Sequence, residues 1–122
     1  MDAKAQQWAE YLAKTGSFQH SPDTNPPIGE NIAMSWASYS QKNNGALVKE
    51  AVNNWYNEVS QYSYSNPGFG MNTGHFTQVV WKSSKYLGLG LAVKGNSVYI
   101  VGNYSPPGNF QGDFKANVKK PV

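Results

Sequence analysis

The sequence predicts a single α+β domain in which helices pack on an antiparallel sheet. Two stretches carry apolar residues at the 3.6-residue period of a helix. Further along, two apolar runs flank Lys94-Gly95-Asn96, which is typical of a β-hairpin. No repeat or linker divides the chain, and 122 residues suit one domain, taken as residues 1–122. Helices followed by a hairpin favour a layered α+β architecture.

Two amphipathic helices are predicted, and the second of them places a carboxylate near its apolar stripe. The first helix ends at Gly16, a residue that commonly stops helices. The second spans about four turns, and Glu58 lies beside its apolar stripe, three residues after Trp55, which favours a carboxylate that faces a cleft. The apolar stripes consist of Ala5, Trp8, Ala9, Leu12 and Ala13 in the first helix and Val48, Ala51, Val52, Trp55, Tyr56 and Val59 in the second.

The segments between these helices are less regular. Prolines between Ser17 and Pro27 exclude regular helix, so His20 is expected on a loop. Asn31–Trp36 is apolar but too short for periodicity to separate strand from helix. Polar residues from Ser38 to Gly45 predict a loop, and Tyr62–Thr73 predicts a second loop, rich in aromatic residues, glycine and proline. The hairpin strands are expected at Tyr86–Val93 and Ser97–Val101.

The segment Gly74–Ser84 contains His75, one of two histidines in the chain. Histidine is well suited to bind a metal or to exchange protons near neutral pH. Phe76, Val79 and Val80 follow at spacings that allow one helical face to anchor the segment. A lone histidine beside apolar residues is also compatible with a purely structural role.

Three sequence blocks together resemble the CAP superfamily, the cysteine-rich secretory, antigen 5 and pathogenesis-related 1 proteins. They are Gly74–Ser84, Gly29-Glu30-Asn31-Ile32, and the run from Tyr99 to Phe110, which contains Asn103-Tyr104-Ser105-Pro106-Pro107-Gly108-Asn109. Their order and spacing also agree, and the resemblance runs from about Ala3 to the C-terminus. It implies a three-layer α-β-α sandwich with a central antiparallel sheet.

This chain departs from the family pattern in two ways. Gly102 and Leu89 stand where many members have cysteine, so a disulfide that many relatives use is absent. The family's usual first helix, with its arginine-containing pattern, also has no counterpart in a chain without arginine. We therefore expect one sheet face to be partly uncovered. Dimerisation or low stability of the protein would support this expectation.

The resemblance implies a cleft tetrad of His20, Glu30, Glu58 and His75. His20 and His75 would offer nitrogen ligands to Zn²⁺ or another divalent cation, with carboxylates that orient the rings. The alternative is that the four groups satisfy one another by hydrogen bonds without a metal. A zinc-dependent hydrolase, with Glu30 or Glu58 as general base, is the competing functional class. The nearby serines have no paired-base spacing, so we favour a protein that is not an enzyme.

Tyr62, Tyr64 and Phe69 resemble the caveolin-binding-like motif, the loop through which family members take up sterols. The resemblance implies binding of a sterol or another small lipid. The alternative is that these rings pack on the protein's own core.

Composition limits the remaining partners. The net charge of +3 and the pI near 9.1 come from lysine alone. Without arginine, specific nucleic-acid recognition is not expected, although weak contact with an anionic surface is compatible with the charge. No apolar run suits a transmembrane segment, and no signal peptide opens the chain. The resemblance favours a secreted protein with a role in defence or host interaction, and a cytoplasmic location is the alternative.

Overall fold

The structure, a computed structural model, describes residues 2–22, 27–37 and 45–120. The predicted Ser38–Gly45 loop lies outside this part of the chain except for its last residue. Three strands form one antiparallel sheet in the order β1-β3-β2. In chain order the elements are α1 Asp2–Thr15, β1 Gly29–Trp36, α2 Gly45–Asn57, a 3₁₀ turn Glu58–Gln61, α3 Gly74–Val80, β2 Tyr86–Lys94, β3 Ser97–Ser105 and α4 Phe114–Asn117.

Helices cover both faces of the sheet, which confirms the three-layer α-β-α sandwich. Alternate residues of a strand project to opposite faces, so each strand supplies two cores. On one face the small residues of α1 pack against Ile32, Tyr99 and Val101. On the other face Ala51 and Trp55 of α2 pack against Leu91, Val98 and Ile100.

Helix α1 lies directly against the sheet backbone at Gly90. A Cβ atom at this position would lie 2.4 Å from the backbone nitrogen of Gln6 and 2.5 Å from the carbonyl carbon of Ala5. The Gln6 side chain also donates to the Leu91 carbonyl at 2.8 Å and accepts from the Leu91 amide at 2.9 Å. Helix α1 thus satisfies backbone groups on the outer edge of β2, and the opposite edge of β2 pairs with β3.

The structure settles the segment that periodicity left ambiguous. Asn31–Trp36 belongs to β1, and all eight residues of that strand pair with β3. Strand β3 also continues four residues beyond the predicted end at Val101, so that the third sequence block enters the sheet. Helix α2 ends at Asn57 rather than at Val59, because the chain tightens into a 3₁₀ turn at Glu58.

Gly102 and Leu89, the two places where related proteins often have cysteine, are direct partners across β3 and β2. A Cβ atom on Gly102 would lie 3.3 Å from the Trp55 ring and 3.5 Å from a Leu89 methyl group. Apolar packing of Trp55 and Leu89 therefore occupies the space beside Gly102.

The far end of β1 carries exposed apolar side chains. Met34 is 49% exposed and Trp36 is 64% exposed, and β1 is an edge strand. Among the described residues, no helix is both long and apolar enough to cross a membrane.

Candidate functional site

His75 lies in the first turn of α3, where Glu58 holds it. One Glu58 oxygen lies 2.8 Å from His75 Nδ1, and the other accepts the backbone N–H groups of His75 and Phe76 at 3.0 and 3.1 Å. The first N–H groups of a helix lack partners within the helix, so this carboxylate satisfies two of them and orients the imidazole. The ring of His75 also stacks on Trp55, with 6.0 Å between centroids.

Buried polar side chains fix α3 against the other sequence blocks. Gln78 is buried, accepts the Gly108 backbone N–H at 2.9 Å and donates to Ser84 Oγ at 3.1 Å. Thr77 is buried one residue earlier and donates to Asn109 Oδ1 at 2.6 Å. Asn109 in turn donates to the Gly74 carbonyl at 3.0 Å. The histidine helix is therefore joined to the third block by hydrogen bonds in addition to apolar packing.

His20 forms the second histidine–glutamate pair. Its Nδ1 lies 2.9 Å from Glu30 Oε1, and Ser21 donates to the same carboxylate through its backbone N–H at 2.8 Å and its hydroxyl at 2.6 Å. The hydrogen bond to Glu30 raises the pKa of His20 above 6.5, although burial opposes the shift. Burial raises the pKa of Glu30, but the hydrogen bonds from His20 and Ser21 together outweigh it and lower that pKa. The two groups are therefore both ionised over a widened pH range.

The two pairs flank the start of β1. Glu30 holds His20, while the neighbouring Asn31 donates to the His75 carbonyl at 3.1 Å and to the Tyr104 hydroxyl at 3.3 Å. Adjacent residues of β1 thus contact the segments that carry the two pairs. Within the described ranges, no three His, Cys, Asp or Glu side chains converge closely enough to hold a metal ion. The structure thus places the four predicted residues as two pairs.

The aromatic loop divides into packed and exposed rings. Tyr62 packs on Phe76 at 5.5 Å and on Tyr64 at 5.1 Å between centroids, and both tyrosines rest on the buried cluster around Trp81 and Phe114. Phe69 is 55% exposed. The alternative of rings packed on the core therefore describes Tyr62 and Tyr64, whereas Phe69 remains accessible.

A surface cavity of about 350 Å³ lies along this loop, and we call it the loop cavity. Phe69 and Tyr62 line it together with polar residues from both ends of the loop, and Gln111 lines it from the chain after β3. Met71 follows the cavity wall in sequence and is 90% exposed. The residues that line the loop cavity are Gln61, Tyr62, Ser63, Asn66, Pro67, Gly68, Phe69, Gly70, Asn72, Thr73 and Gln111.

Three residues that shape these sites are not identified by sequence reasoning. The sequence shows no catalytic base at a suitable spacing from Ser21, and only its position next to His20 could have indicated its role. For Asn31, the only indication in the sequence is its position next to Glu30 in the same block. Gln78 interrupts an apolar helical face, and a polar residue in such a position is a signal for a buried hydrogen-bonding role.

Comparison with known proteins agrees with the three sequence blocks. Residues 1–104 match the cysteine-rich secretory protein family, CAP. Golgi-associated plant pathogenesis-related protein 1 of Homo sapiens is 41% identical over 99% of this chain and 77% of its own length. These matches confirm the resemblance inferred from the sequence.

Solved structures share the fold. BmVAL-1 superposes with a TM-score of 0.79 at 28% identity, over 99% of this chain and 63% of that one. The crystal structure of NaASP2 with Zn²⁺ gives a TM-score of 0.71 at 29% identity, over 91% of this chain and 61% of that one. The chain thus spans less than two-thirds of the length of these two structures.

Proposed function

Because this chain belongs to the cysteine-rich secretory protein family, CAP, we propose that it is a non-enzymatic CAP domain that binds a sterol or another small amphipathic lipid. The observation that carries this proposal is the loop cavity of about 350 Å³ with the exposed ring of Phe69 in its wall. Ligand sites for small molecules combine apolar surface with a few oriented polar groups, and they begin near this volume. Phe69 in the wall and the exposed Met71 outside it supply apolar surface, while the polar residues of the wall supply hydrogen bonds.

The basic C-terminal residues support an approach to a lipid surface. The Lys120 ammonium lies 5.9 Å from the centroid of the Tyr64 ring, so this lysine lies beside the aromatic loop, and Lys115 and Lys119 are close to it in sequence. Lysines near a membrane surface gain about 1 kcal/mol each from anionic lipids. We therefore propose weak contact between this end of the protein and an anionic surface.

Phe69→Ala is the informative variant, because Tyr62 and Tyr64 pack on the core and their loss would disturb folding as well as binding. Fully burying a phenylalanine side chain contributes about 1.5–3 kcal/mol, so covering a half-exposed ring contributes about 1 kcal/mol. We expect Phe69→Ala to weaken cholesterol binding about fivefold. Saturable uptake of radiolabelled cholesterol measures the effect.

Phe18→Ala is the matched control, since Phe18 is 50% exposed on the segment after α1 and lies outside the loop cavity. Its cholesterol affinity should equal that of the wild type. An absence of saturable cholesterol uptake by the wild-type protein would rule out the proposed function.

The two histidine–glutamate pairs favour a second function, the binding of a divalent cation such as Zn²⁺. Each histidine meets its glutamate through Nδ1, which leaves Nε2 as the atom that can ligate a metal. A carboxylate on the second ring nitrogen is the usual outer partner of a zinc-bound histidine. The structural relative NaASP2 was crystallised with Zn²⁺. Two imidazoles fill half of a tetrahedral zinc shell, so water or an anion would complete it.

Titration calorimetry with ZnCl₂ tests this second proposal. We expect saturable zinc binding that His75→Ala abolishes and that Glu58→Gln weakens about 10-fold to 100-fold, since outer partners contribute that much to metal affinity. Glu50→Gln changes an exposed carboxylate of α2 in the same way and should leave zinc affinity unchanged. Equal affinities of the wild type and His75→Ala would contradict the proposed site.

The hydrolase alternative is less well supported by the geometry. Glu30 and Glu58 each accept three hydrogen bonds from neighbouring groups. Carboxylates held in this way orient their histidines, whereas a general base needs free access to a proton of the substrate.

Location and assembly follow from the relatives as further proposals. The family description and the human relative's name point to the extracellular space or the secretory pathway, with a role in defence or host interaction. Homodimerisation through the exposed end of β1, where Met34 and Trp36 lie, is the assembly that we propose.

A further inference from the structure

None of the described residues that line the loop cavity carries a charged side chain. Apart from Tyr62, its hydrogen-bonding side chains are amides and aliphatic hydroxyls, those of Gln61, Ser63, Asn66, Asn72, Thr73 and Gln111. An ionised ligand group would lose hydration on entering and would meet no counter-charge in this wall, because Lys120 contacts Tyr64, and neither residue lines the cavity. A neutral group that both donates and accepts hydrogen bonds suits this wall.

The size of the loop cavity bears on how large that neutral group is. A water molecule occupies about 30 Å³ in the liquid, and a single hydroxyl group needs no more than that. The cavity has a volume of about 350 Å³, roughly tenfold larger. A lone hydroxyl at the end of an apolar ligand would therefore leave most of the polar wall without a ligand partner.

Two of the amides are held in place before any ligand arrives. Asn72 Nδ2 donates to Gln61 Oε1 at 2.6 Å, which leaves Gln61 Nε2 as a donor and Asn72 Oδ1 as an acceptor. Gly70 keeps these groups accessible, because a Cβ atom there would lie 3.2 Å from Asn72 Oδ1 and 2.8 Å from Thr73 Oγ1. Adjacent hydroxyl groups of a sugar ring match such a pair, since each hydroxyl donates and accepts.

From this geometry we propose that the polar head of the ligand is a neutral polyol of monosaccharide size, so that the ligand class is a neutral glycolipid such as a steryl glycoside. The sugar occupies the loop cavity among the amides, and its apolar C–H face lies against the ring of Phe69. The lipid body lies across the exposed apolar surface of Phe69 and Met71. This inference rests on the proposed lipid-binding function and specifies the head group.

The test compares three probes of the same sterol: cholesterol, cholesteryl β-D-glucoside and cholesterol sulfate, each titrated into the full chain with detergent present below its micelle concentration. One or two additional hydrogen bonds predict that the glucoside binds about tenfold more tightly than cholesterol. The sulfate should bind most weakly, because its charge has no counter-charge in the wall.

A variant distinguishes the contribution of the sugar to binding from that of the sterol. Asn72→Ala removes the donor to Gln61, so the glucoside affinity should fall about tenfold while the cholesterol affinity falls by less, and the ratio of the two affinities should approach one. A wild-type circular-dichroism melting curve shows that this variant is folded. Asn53→Ala removes the same kind of amide from an exposed position of α2 and should leave all three affinities at wild-type values.

The outcomes distinguish the two proposals. Cholesterol binding that equals or exceeds glucoside binding would overturn the glycolipid inference and leave the lipid-binding function standing. Tightest binding of the sulfate would overturn the inference as well, since it would require a positive charge at the head group. Failure of both cholesterol and its glucoside to bind would remove the proposed function and the inference together.

Discussion

Gly90→Ala is expected to lower the free energy of unfolding by about 3 kcal/mol, at the upper end of the usual cost of overpacking. The added methyl group would overlap the backbone of α1 at Ala5 and Gln6, with contacts of 2.4 to 2.5 Å. A clash with backbone cannot be relieved by a side-chain rotation, so α1 must shift from the sheet. That shift would also strain the hydrogen bonds between Gln6 and Leu91.

Thermal unfolding followed by circular dichroism measures this effect, and we expect the melting temperature of Gly90→Ala to fall by about 10 °C. Gly45→Ala is the matched control, because the residue begins α2 and, among the described residues, a Cβ built there meets no neighbour within 4 Å outside its own helix. Alanine in a helix should leave stability unchanged or raise it slightly. Equal melting temperatures for Gly90→Ala and the wild type would show that α1 does not pack this closely.

Gln78→Leu is expected to destabilise the domain by about 1–3 kcal/mol, although the two side chains are similar in size. Leucine provides no acceptor for the Gly108 N–H, which is a partner of Gln78 in the native structure, whereas the Ser84 hydroxyl keeps its hydrogen bond to the Pro106 carbonyl. A polar group left without a partner costs about 1–3 kcal/mol. Because α3 carries His75, the same change should also loosen the histidine–glutamate pair with Glu58.

Urea unfolding gives the stability change, and the ¹⁵N-edited NMR signal of the His75 backbone N–H reports the loss of its hydrogen bond to Glu58. Gln7→Leu makes the same replacement on the exposed side of α1 and should change the free energy of unfolding by less than about 0.5 kcal/mol. If Gln78→Leu were as stable as Gln7→Leu, the hydrogen bonds of Gln78 would contribute nothing measurable to the fold.

Sequence predicted best the elements that have a clear local signal. Helix α1 shows the helical period because it has one buried and one exposed face. The hairpin of β2 and β3 was predicted from the turn at Lys94-Gly95-Asn96 between two apolar runs, although β3 is buried on both faces. The segment at Asn31 could not be assigned, since its first residues are covered on both sides and periodicity vanishes in such strands. Pairing with β3 identifies it as a strand, and that pairing is a tertiary property.

The sequence predicted which residues form the candidate site, but it did not predict how they are arranged. His75 and His20 could be named from the resemblance, yet their division into two pairs depends on the loop that carries Ser21 and on the turn at Glu58. The aromatic loop shows the same limit. Spacing placed Tyr62, Tyr64 and Phe69 together, whereas burial against Phe76 separates Tyr62 and Tyr64 from the exposed Phe69. Burial of this kind depends on contacts far apart in sequence.

The apolar packing beside Gly102 has a consequence for how the protein responds to oxidants and reductants. Trp55 and Leu89 occupy the space beside Gly102 where many relatives place a cross-link, and the chain contains no thiol. The stability of the fold therefore does not depend on the redox potential that glutathione sets in its surroundings, and refolding needs no disulfide exchange. A domain built in this way can cross from a reducing to an oxidising compartment without forming or breaking a disulfide.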